Sequence, residues 1–529
     1  MRRRRSFRRM EDSHPSLPAH PPVELELKFD LSAAELRRLL RHPLLAGARR
    51  RNRLVASTYF DTPELALRDR ALSLRIRRDG RHYVQTLKAT GDTTAAPVER
   101  EKIQAPLTQA APDLSRPELR ERLDGLDAAE LQPVFVSRIR RSTRLVHLES
   151  GAVVELAYDR GDIETPAGTS LPVCELELEL KEGDSGSLFE LARALNRSLP
   201  LHLEPLSKAA RGYALLRGDD VDAARRQAKL RLRPDMPIDG AFAAIVENGL
   251  HHMIANDRAA RRGEVEGVHQ MRVALRRLRA MFKLFKAVIS EDQRAHAVGE
   301  MKWISGTLGT TRNWDVFGEY VAEVAAAFPG DAALQALIAA AAERQKRGHA
   351  AVQEAIASAR YTDFVLQMLG ELAHQRRAAR PASTSLLLAA PIRQLASTLL
   401  DRRYRKARKL AKKFASLDAA QRHRFRIALK ELRYAVDALS GLYERKAAKR
   451  QLVRLAALQD DLGLLNDVVT MERLLTELET APEGEPLKQG AALVRGWFGR
   501  AAAEHEAKLD KRVARFLKAK PFWALPQAA

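Results

Sequence analysis

From Val23 to Phe29 apolar and charged positions alternate without a break, Val23-Glu24-Leu25-Glu26-Leu27-Lys28-Phe29, which predicts a strand carrying Glu24, Glu26 and Lys28 on one face. The same period returns in Cys174-Glu175-Leu176-Glu177-Leu178-Glu179-Leu180, where three more carboxylates align. Basic strands are predicted between the two. Ser73-Leu74-Arg75-Ile76-Arg77 pairs two guanidiniums, and Val84-Gln85-Thr86-Leu87-Lys88 ends in an ammonium. Ser137, Ile139 and Arg141 share one parity, as do Glu155, Ala157 and Asp159. Closed into an antiparallel barrel, such strands pack their apolar faces outward on helices and line a tunnel with their charged faces, the reverse of a small barrel with an apolar core.

Past about residue 218 the period becomes helical. Arg217-Gly218-Asp219-Asp220 to Pro234-Asp235-Met236-Pro237 reads as a linker, followed by Ala- and Leu-rich segments that repeat. His269-Gln270-Met271-Arg272-Val273-Ala274-Leu275-Arg276-Arg277-Leu278-Arg279 aligns without gaps on His423-Arg424-Phe425-Arg426-Ile427-Ala428-Leu429-Lys430-Glu431-Leu432-Arg433, 423 − 269 = 154 positions on. Leu308-Gly309 and Leu462-Gly463 keep that spacing, and each is followed by an Asn and an Asp, Asn313 and Asp315, then Asn466 and Asp467. A duplication explains this. His269, Arg272, Arg276 and Arg279 form one helical stripe, repeated by His423, Arg426, Lys430 and Arg433. Facing each other across a pseudo-twofold axis, the stripes make a basic groove. The run Arg402, Arg403, Arg405, Lys406, Arg408, Lys409, Lys412 and Lys413 is expected to add charge to it. Metal ligation by the histidines is disfavoured, because arginines repel cations and a neutral imidazole can donate to phosphate.

The chemistry follows from the residue types. Arginine forks suit phosphate oxygens, and clustered carboxylates suit hard divalent cations that bridge phosphates. Carboxylates so close repel one another, so neutralising Glu26 or Glu177 is expected to raise the melting temperature without metal. With 90 Lys+Arg against 67 Asp+Glu, the 529-residue chain carries +23 and attracts polyanions: nucleic acid, anionic membrane or polyphosphate. Only 5% of residues are aromatic and there is one cysteine, Cys174, so base-stacking platforms, zinc fingers and disulfides are poorly supplied, which argues against nucleic acid. No apolar run approaches the roughly 20 residues that span a bilayer. Met1-Arg2-Arg3-Arg4-Arg5-Ser6-Phe7-Arg8-Arg9-Met10 resembles half of a twin-arginine signal but lacks an apolar region after it, so residues 1–21 read as a disordered basic tail and the chain as cytoplasmic.

Glu24-x-Glu26-x-Lys28, Tyr59-Phe60-Asp61-Thr62, Leu74-Arg75-Ile76-Arg77, Thr86-Leu87-Lys88, Cys174 to Leu180 and Ser207-Lys208 resemble, in order, the CYTH family, the triphosphate tunnel metalloenzymes. The resemblance implies an eight-stranded antiparallel β tunnel with flanking helices over 22–217, binding a triphosphate with Mg²⁺ or Mn²⁺. It assigns Glu24, Glu26, Glu177 and Glu179 to metal with Glu175 nearby. Arg75, Arg77, Lys88, Arg141 and Lys208 go to phosphate oxygens, with Lys28 completing that site and Glu155 and Asp159 beside the substrate. The family's central strand usually has an arginine followed two positions later by a carboxylate. Here Arg100 is followed by Glu101 and Lys102, so either Arg100 faces the lumen or Glu99 and Glu101 do. After a linker at 218–236, residues 237–520 resemble the CHAD domain, and 521–529 form a tail. That resemblance implies a separate all-α domain of two pseudo-symmetric bundles that binds long-chain inorganic polyphosphate, and association with polyphosphate granules. The α+β whole is expected to be a metal-dependent triphosphatase acting on inorganic tripolyphosphate. The alternatives are a polyphosphate-binding scaffold with little turnover, or a CYTH enzyme acting on a nucleoside or thiamine triphosphate.

Overall fold

A computed structural model of the chain describes residues 25–80, 82–89, 102–377, 386–482 and 484–524. Glu24, Arg100, Glu99 and Glu101, the expected basic tail at 1–21 and residues 525–529 lie outside the described residues. The strands are β1 (Leu25–Asp30), β2 (Arg51–Asp61), β3 (Leu72–Asp79), β4 (His82–Ala89), β5 (Lys102–Leu107), β6 (Gln132–His147), β7 (Val153–Glu164), β8 (Ser170–Glu182) and β9 (His202–Leu203). Among the described residues they form one antiparallel sheet in the order β5-β4-β3-β2-β6-β7-β8-β1-β9. The sheet curls so that β1 to β8 all send side chains into one lumen. The two-residue β9, which pairs with β1, adds one strand to the eight predicted.

Alternation decides which side is which. Along β1, Leu25, Leu27 and Phe29 are buried outward, while Glu26 and Lys28 are half-buried on the lumen side. Leu176 and Leu178 of β8 and Leu74 and Ile76 of β3 point outward in the same way. The first helices are α1 (Ala33–Leu39), α2 (Ala66–Asp69), α3 (Pro117–Arg122), α4 (Ser185–Ser198) and α5 (Lys208–Arg217). α5 closes one end of the tunnel: Ala209 and Tyr213 pack on Phe135, which stacks on Tyr59 with centroids 4.5 Å apart. This approach requires Gly212, where a Cβ would fall 2.2 Å from the Phe135 ring. Asp61, fully buried, accepts from the Leu67 and Arg68 amides and from the Tyr213 hydroxyl at 2.8 Å, so the Tyr59-Phe60-Asp61-Thr62 motif anchors α2 and α5.

The helical half contains α6 (Ile238–Ile254), α7 (Asp257–Arg261), α8 (Val265–Leu284), α9 (Glu291–Ala327), α10 (Ala332–Ala357), α11 (Ala359–Arg377), α12 (Leu386–Ala389), α13 (Ile392–Ala411), α14 (Ala419–Leu439), α15 (Arg445–Glu479) and α16 (Lys488–Lys518). The starts of α6, α8 and α9 recur as those of α13, α14 and α15, since 392 − 238, 419 − 265 and 445 − 291 all equal 154. The two copies clasp reciprocally: the Ile238 amide donates to the Ala390 carbonyl at 3.0 Å and the Ile392 amide to the Met236 carbonyl at 2.7 Å, with 392 − 238 = 390 − 236 = 154. A pseudo-twofold axis therefore passes between Pro237 and Pro391, which bridge each other.

The 218–236 segment has neither helix nor strand, and its Arg225 backbone is held in both directions by the Asn256 side chain. The halves also touch directly. One apolar core runs from Leu25, Leu27 and Phe29 through Leu188, Leu191 and Leu195 of α4 to Phe364 and Val365 of α11 and Met271 and Leu275 of α8. At the same junction Arg193 forks onto Asp363 at 2.7 and 2.9 Å, and the Thr362 hydroxyl donates to the Leu201 carbonyl at 2.6 Å. The halves predicted as separate share a core.

Candidate functional site

The lumen has a volume of about 280 Å³, and charge lines it by strand parity. Glu26 and Lys28 come from β1, Arg75 and Arg77 from β3, Lys88 from β4, Arg141 from β6, Glu155 and Asp159 from β7, Glu177 and Glu179 from β8, and Lys208 from the first turn of α5. Arg75, Arg77 and Lys88 lie together on the β3–β4 side, while the carboxylates of β7, β8 and β1 are interleaved with Lys28, Arg141 and Lys208. Antiparallel register produces this division, because Arg77 sits opposite Ser57 and Val84 while Lys28 sits opposite Glu177.

The carboxylates are not left to repel one another. Arg141 donates from Nε to Asp159 at 2.6 Å and from Nη2 to Asp159 and Glu177 at 2.5 Å each. Lys208 Nζ lies 2.6 Å from Asp159 and 3.0 Å from Glu177 and also pairs with Glu175, which Arg211 covers from the other side. Lys28 Nζ is 3.4 Å from Glu26 and 3.3 Å from Glu177. Burial works against the ionised Glu177, yet Arg141, Lys208 and Lys28 outweigh it and hold its pKa well below the usual carboxyl range. Asp159 is lowered as well, with Lys208 and Arg141 overcoming burial. Burial would also discharge Lys28, but Glu26 and Glu177 raise it. Neutralising Glu177 therefore removes the partner of three cations, which reverses the sign of the melting-temperature expectation for that residue.

Arg75 and Arg77 are in the opposite position. The buried Nε of each has no hydrogen-bond partner. Arg75 beside it, then burial, then Arg141 push the Arg77 pKa down to about 9. Two half-buried guanidiniums, each with a buried Nε donor unmet and repelling each other, make a receptor for an anion with several oxygens. Opposite them, one carboxylate oxygen from each of Asp159, Glu175 and Glu177 lies within 4.8 Å of the others. An all-oxygen donor set of this kind fits a hard divalent ion such as Mg²⁺ or Mn²⁺.

A second basic cavity, of about 810 Å³, opens between α8 and α14. His269, Arg272, Arg276 and Arg279 line it from one copy and His423, Arg426 and Lys430 from the other; Arg433 instead donates to Gln459 at 3.1 Å. Burial, then the guanidiniums of Arg276, Arg312 and Arg426, lowers Arg272 to about 10. Burial, followed by Arg426 and Arg276, lowers Lys430 to about 7. His269 is lowered by burial and Arg312, and His423 Nδ1 lies 3.0 Å from the Asn466 Oδ1. Gly309 leaves room for Arg272, whose Nη1 would lie 2.7 Å from a Cβ there. Asn313, Asn466 and Asp467 of the repeated motif face the cavity, whereas Asp315 is buried against His349 Nε2 at 2.9 Å. The basic run on α13 does not line the groove; Arg403 and Lys406 bind Glu431 at 3.0 and 3.2 Å.

Other contributors escape strand and helix patterns. Arg53, Lys102 and Lys181 line the lumen, and Lys181 Nζ is 2.7 Å from Glu179. Arg53 and Lys102 lie where apolar alternation is weak, Arg51-Asn52-Arg53-Leu54 and Glu101-Lys102-Ile103, so parity alone does not mark them. Glu175 shares the lumen parity but is enclosed by Lys208 and Arg211, and no local pattern announces Arg211 as its partner. In the groove, Lys283 continues the α8 stripe by one turn, and Arg294, Lys302 and Arg312 arrive from α9. Among the described residues, no helix is long and apolar enough to cross a membrane.

Residues 23–213 match the CYTH domain family and residues 244–476 the CHAD domain family. An inorganic triphosphatase of Haemophilus influenzae is 29% identical over 165 residues, 31% of this chain and 46% of that protein, so the match spans less than half of that relative. An uncharacterised protein of Mycobacterium tuberculosis is 27% identical over 447 residues, 80% of this chain and 82% of its own length. Among solved structures, the CHAD domain from the plant Ricinus communis is 31% identical with a TM-score of 0.49, covering 56% of this chain and 98% of that one.

Proposed function

Because this chain is a CYTH domain followed by a CHAD domain, we propose that it is a metal-dependent inorganic triphosphatase, cleaving tripolyphosphate to pyrophosphate and phosphate, whose helical groove holds long-chain inorganic polyphosphate. The observation that carries this reading is the pair of guanidiniums with unmet Nε donors, Arg75 and Arg77, in one narrow lumen with the buried carboxylates Asp159 and Glu177. In this reading Arg75, Arg77 and Lys88 grip phosphate oxygens and Lys28 completes the grip from β1. Asp159, Glu175 and Glu177 would hold Mg²⁺ or Mn²⁺, with Glu26 and Glu179 at the rim. When bound, the ion supplies charge neutralisation on the phosphate oxygens. Arg141, forked on Asp159 and Glu177, keeps those carboxylates aimed.

Glu177 and Asp159, both held at low pKa, are weak bases. That suits phosphoryl transfer through a loose transition state, where positioning a water matters more than deprotonating it. The lumen is about a third the volume of the groove, 280 against 810 Å³, which fits a short substrate in the one and a polymer in the other. The competing reading is a scaffold with little turnover. It draws on Lys208, Arg141 and Lys28 already neutralising the carboxylates that a metal needs.

The deciding measurement is phosphate release from tripolyphosphate, ATP, thiamine triphosphate and long-chain polyphosphate, each with Mg²⁺ and with Mn²⁺. Metal-dependent turnover highest on tripolyphosphate is expected. Saturable binding without release from any of them establishes the scaffold, and preference for ATP or thiamine triphosphate replaces the substrate.

A further inference from the structure

Charge joins the two halves as well as core. Arg258, on α7 of the helical half, sits where three segments meet. Its Nη2 is 3.0 Å from Asp30 at the end of β1 and 3.0 Å from Glu204 just after β9, and its Nη1 is 3.0 Å from Asp222 of the 218–236 segment. Glu204 Oε2 lies 3.5 Å from Arg211 Nη1; Arg211 pairs with Glu175, and Glu175 with Lys208. Lys208 then reaches Asp159 at 2.6 Å and Glu177 at 3.0 Å. Each link joins opposite charges, and from Glu204 to Asp159 no side chain is more than 9% exposed.

We propose that Arg258 is a positioning residue for the tunnel, through which the helical half sets how Lys208 is divided between Glu175 and the lumen carboxylates. Water cannot compensate a buried charge that loses its partner, so the neighbours along such a chain must re-pair. Glu204 has two cations, Arg258 and Arg211. Without Arg258, Arg211 is drawn to Glu204 and away from Glu175, and Glu175 in turn draws Lys208 from Asp159 and Glu177. The lumen carboxylates are then less screened and bind a divalent ion more tightly, while Lys208 leaves the side of the lumen that the triphosphatase reading gives to substrate. Opposite movements of metal affinity and turnover distinguish this from simple loosening of the interface. Arg193, forked on Asp363 at the same domain junction, supplies the contrast, since none of its contacts leads into the lumen.

The inference rests on the metal-dependent triphosphatase reading, and two readouts on the full-length protein separate the two: tripolyphosphate turnover against metal concentration, and calorimetric titration of metal alone. Arg258→Gln is expected to lower kcat roughly 10-fold or more, the usual loss for a residue behind the metal ligands, while the midpoint for metal moves to lower concentration. Arg258→Lys recovers part of both, and Arg193→Gln changes neither. Adding Glu204→Gln to Arg258→Gln restores turnover in part, because Arg211 returns to Glu175. Wild-type kcat and metal midpoint in Arg258→Gln, an equal loss in Arg193→Gln, or strict additivity in the double variant would overturn the proposal. If Arg258→Gln does not fold, Glu204→Gln alone tests the chain from inside: Arg211 then serves Glu175 more fully, Lys208 is released to the lumen carboxylates, and the metal midpoint must rise. An unchanged midpoint there defeats the idea. Absence of turnover in the wild type defeats the triphosphatase reading instead, and the metal titrations still decide the role of Arg258.

Discussion

Arg75 and Arg77 stand two residues apart on β3, and the protein leaves the buried Nε of each without an acceptor. A bound anion relieves the repulsion between them, so each should contribute strongly to binding. Arg75→Ala and Arg77→Ala are expected to weaken tripolyphosphate binding by about 1.5 to 3 kcal/mol each, the range for hydrogen bonds to charged groups, as read by titration calorimetry. Lysine at either position restores charge without the fork and recovers part of the loss. Unchanged isotherms would remove both from the substrate site. Glu177 shows the opposite economy, with Arg141, Lys208 and Lys28 converging on it. Glu177→Gln should abolish metal-dependent turnover and lower the melting temperature in metal-free buffer at neutral pH, because three cations that converge on it in the lumen lose a partner. Its folded pKa lies below its unfolded value near 4.5, so its stabilisation is present above that value and is lost as pH falls through the lowered one. The variant should therefore also show a shallower loss of stability on acidification. A raised melting temperature would mean that carboxylate repulsion dominates after all.

Element by element, legibility followed periodicity. β1, β3 and β8 were readable because apolar and charged positions alternate cleanly, and that alternation fixed which charges enter the lumen. The α8 and α14 stripes were readable because a duplication wrote the pattern twice. Partner choice was not, since it is long-range: Arg141 beside Asp159 and Glu177, or Arg211 beside Glu175, depends on register between segments 18 to 36 residues apart. Nor does a basic run reveal its face, and α13 puts Arg403 and Lys406 on Glu431 instead of in the groove. At the groove, two facing helices bring cations close enough to depress Lys430 to about 7. A bound polyanion favours the charged amine, so binding takes up a proton, and polyphosphate affinity should fall as pH rises through about 7. In the unliganded protein the sign is reversed. The unfolded chain holds the proton up to about 10.5, so the cost of burying the charge is present below about 7 and is relieved as pH rises between those values. Lys430→Met should flatten the binding profile across this window. A profile with the same slope in the variant would place the titration elsewhere.

On the scale of the whole molecule, two patterns that look independent in the sequence become one body. Strand alternation ends and helical repetition begins near residue 218, which predicts two halves on a linker, yet the outward leucines of β1 and β8 belong to the same core as α8 and α11. Sequence periodicity marks an apolar face but not what covers it, and α4 serves both halves, with Leu188 and Leu191 in the core shared with β1 and β8 and Arg193 and Asn196 reaching α11. Because that core is continuous and buried charge crosses the same junction, separating the halves would expose apolar surface and break the pairs of Arg258 with Glu204 and Asp30. The chain should unfold in a single calorimetric transition, with equal calorimetric and van't Hoff enthalpies, despite a length at which multi-domain behaviour is usual. Tripolyphosphate with a divalent ion, although its proposed site lies in the tunnel alone, should move that whole transition upward, by about 2.7 kcal/mol of added stability at a hundredfold excess over its dissociation constant. Two resolved transitions, only the lower or the upper of which responds to the ligand, would show that the halves fold independently and that the shared core is too weak to couple them.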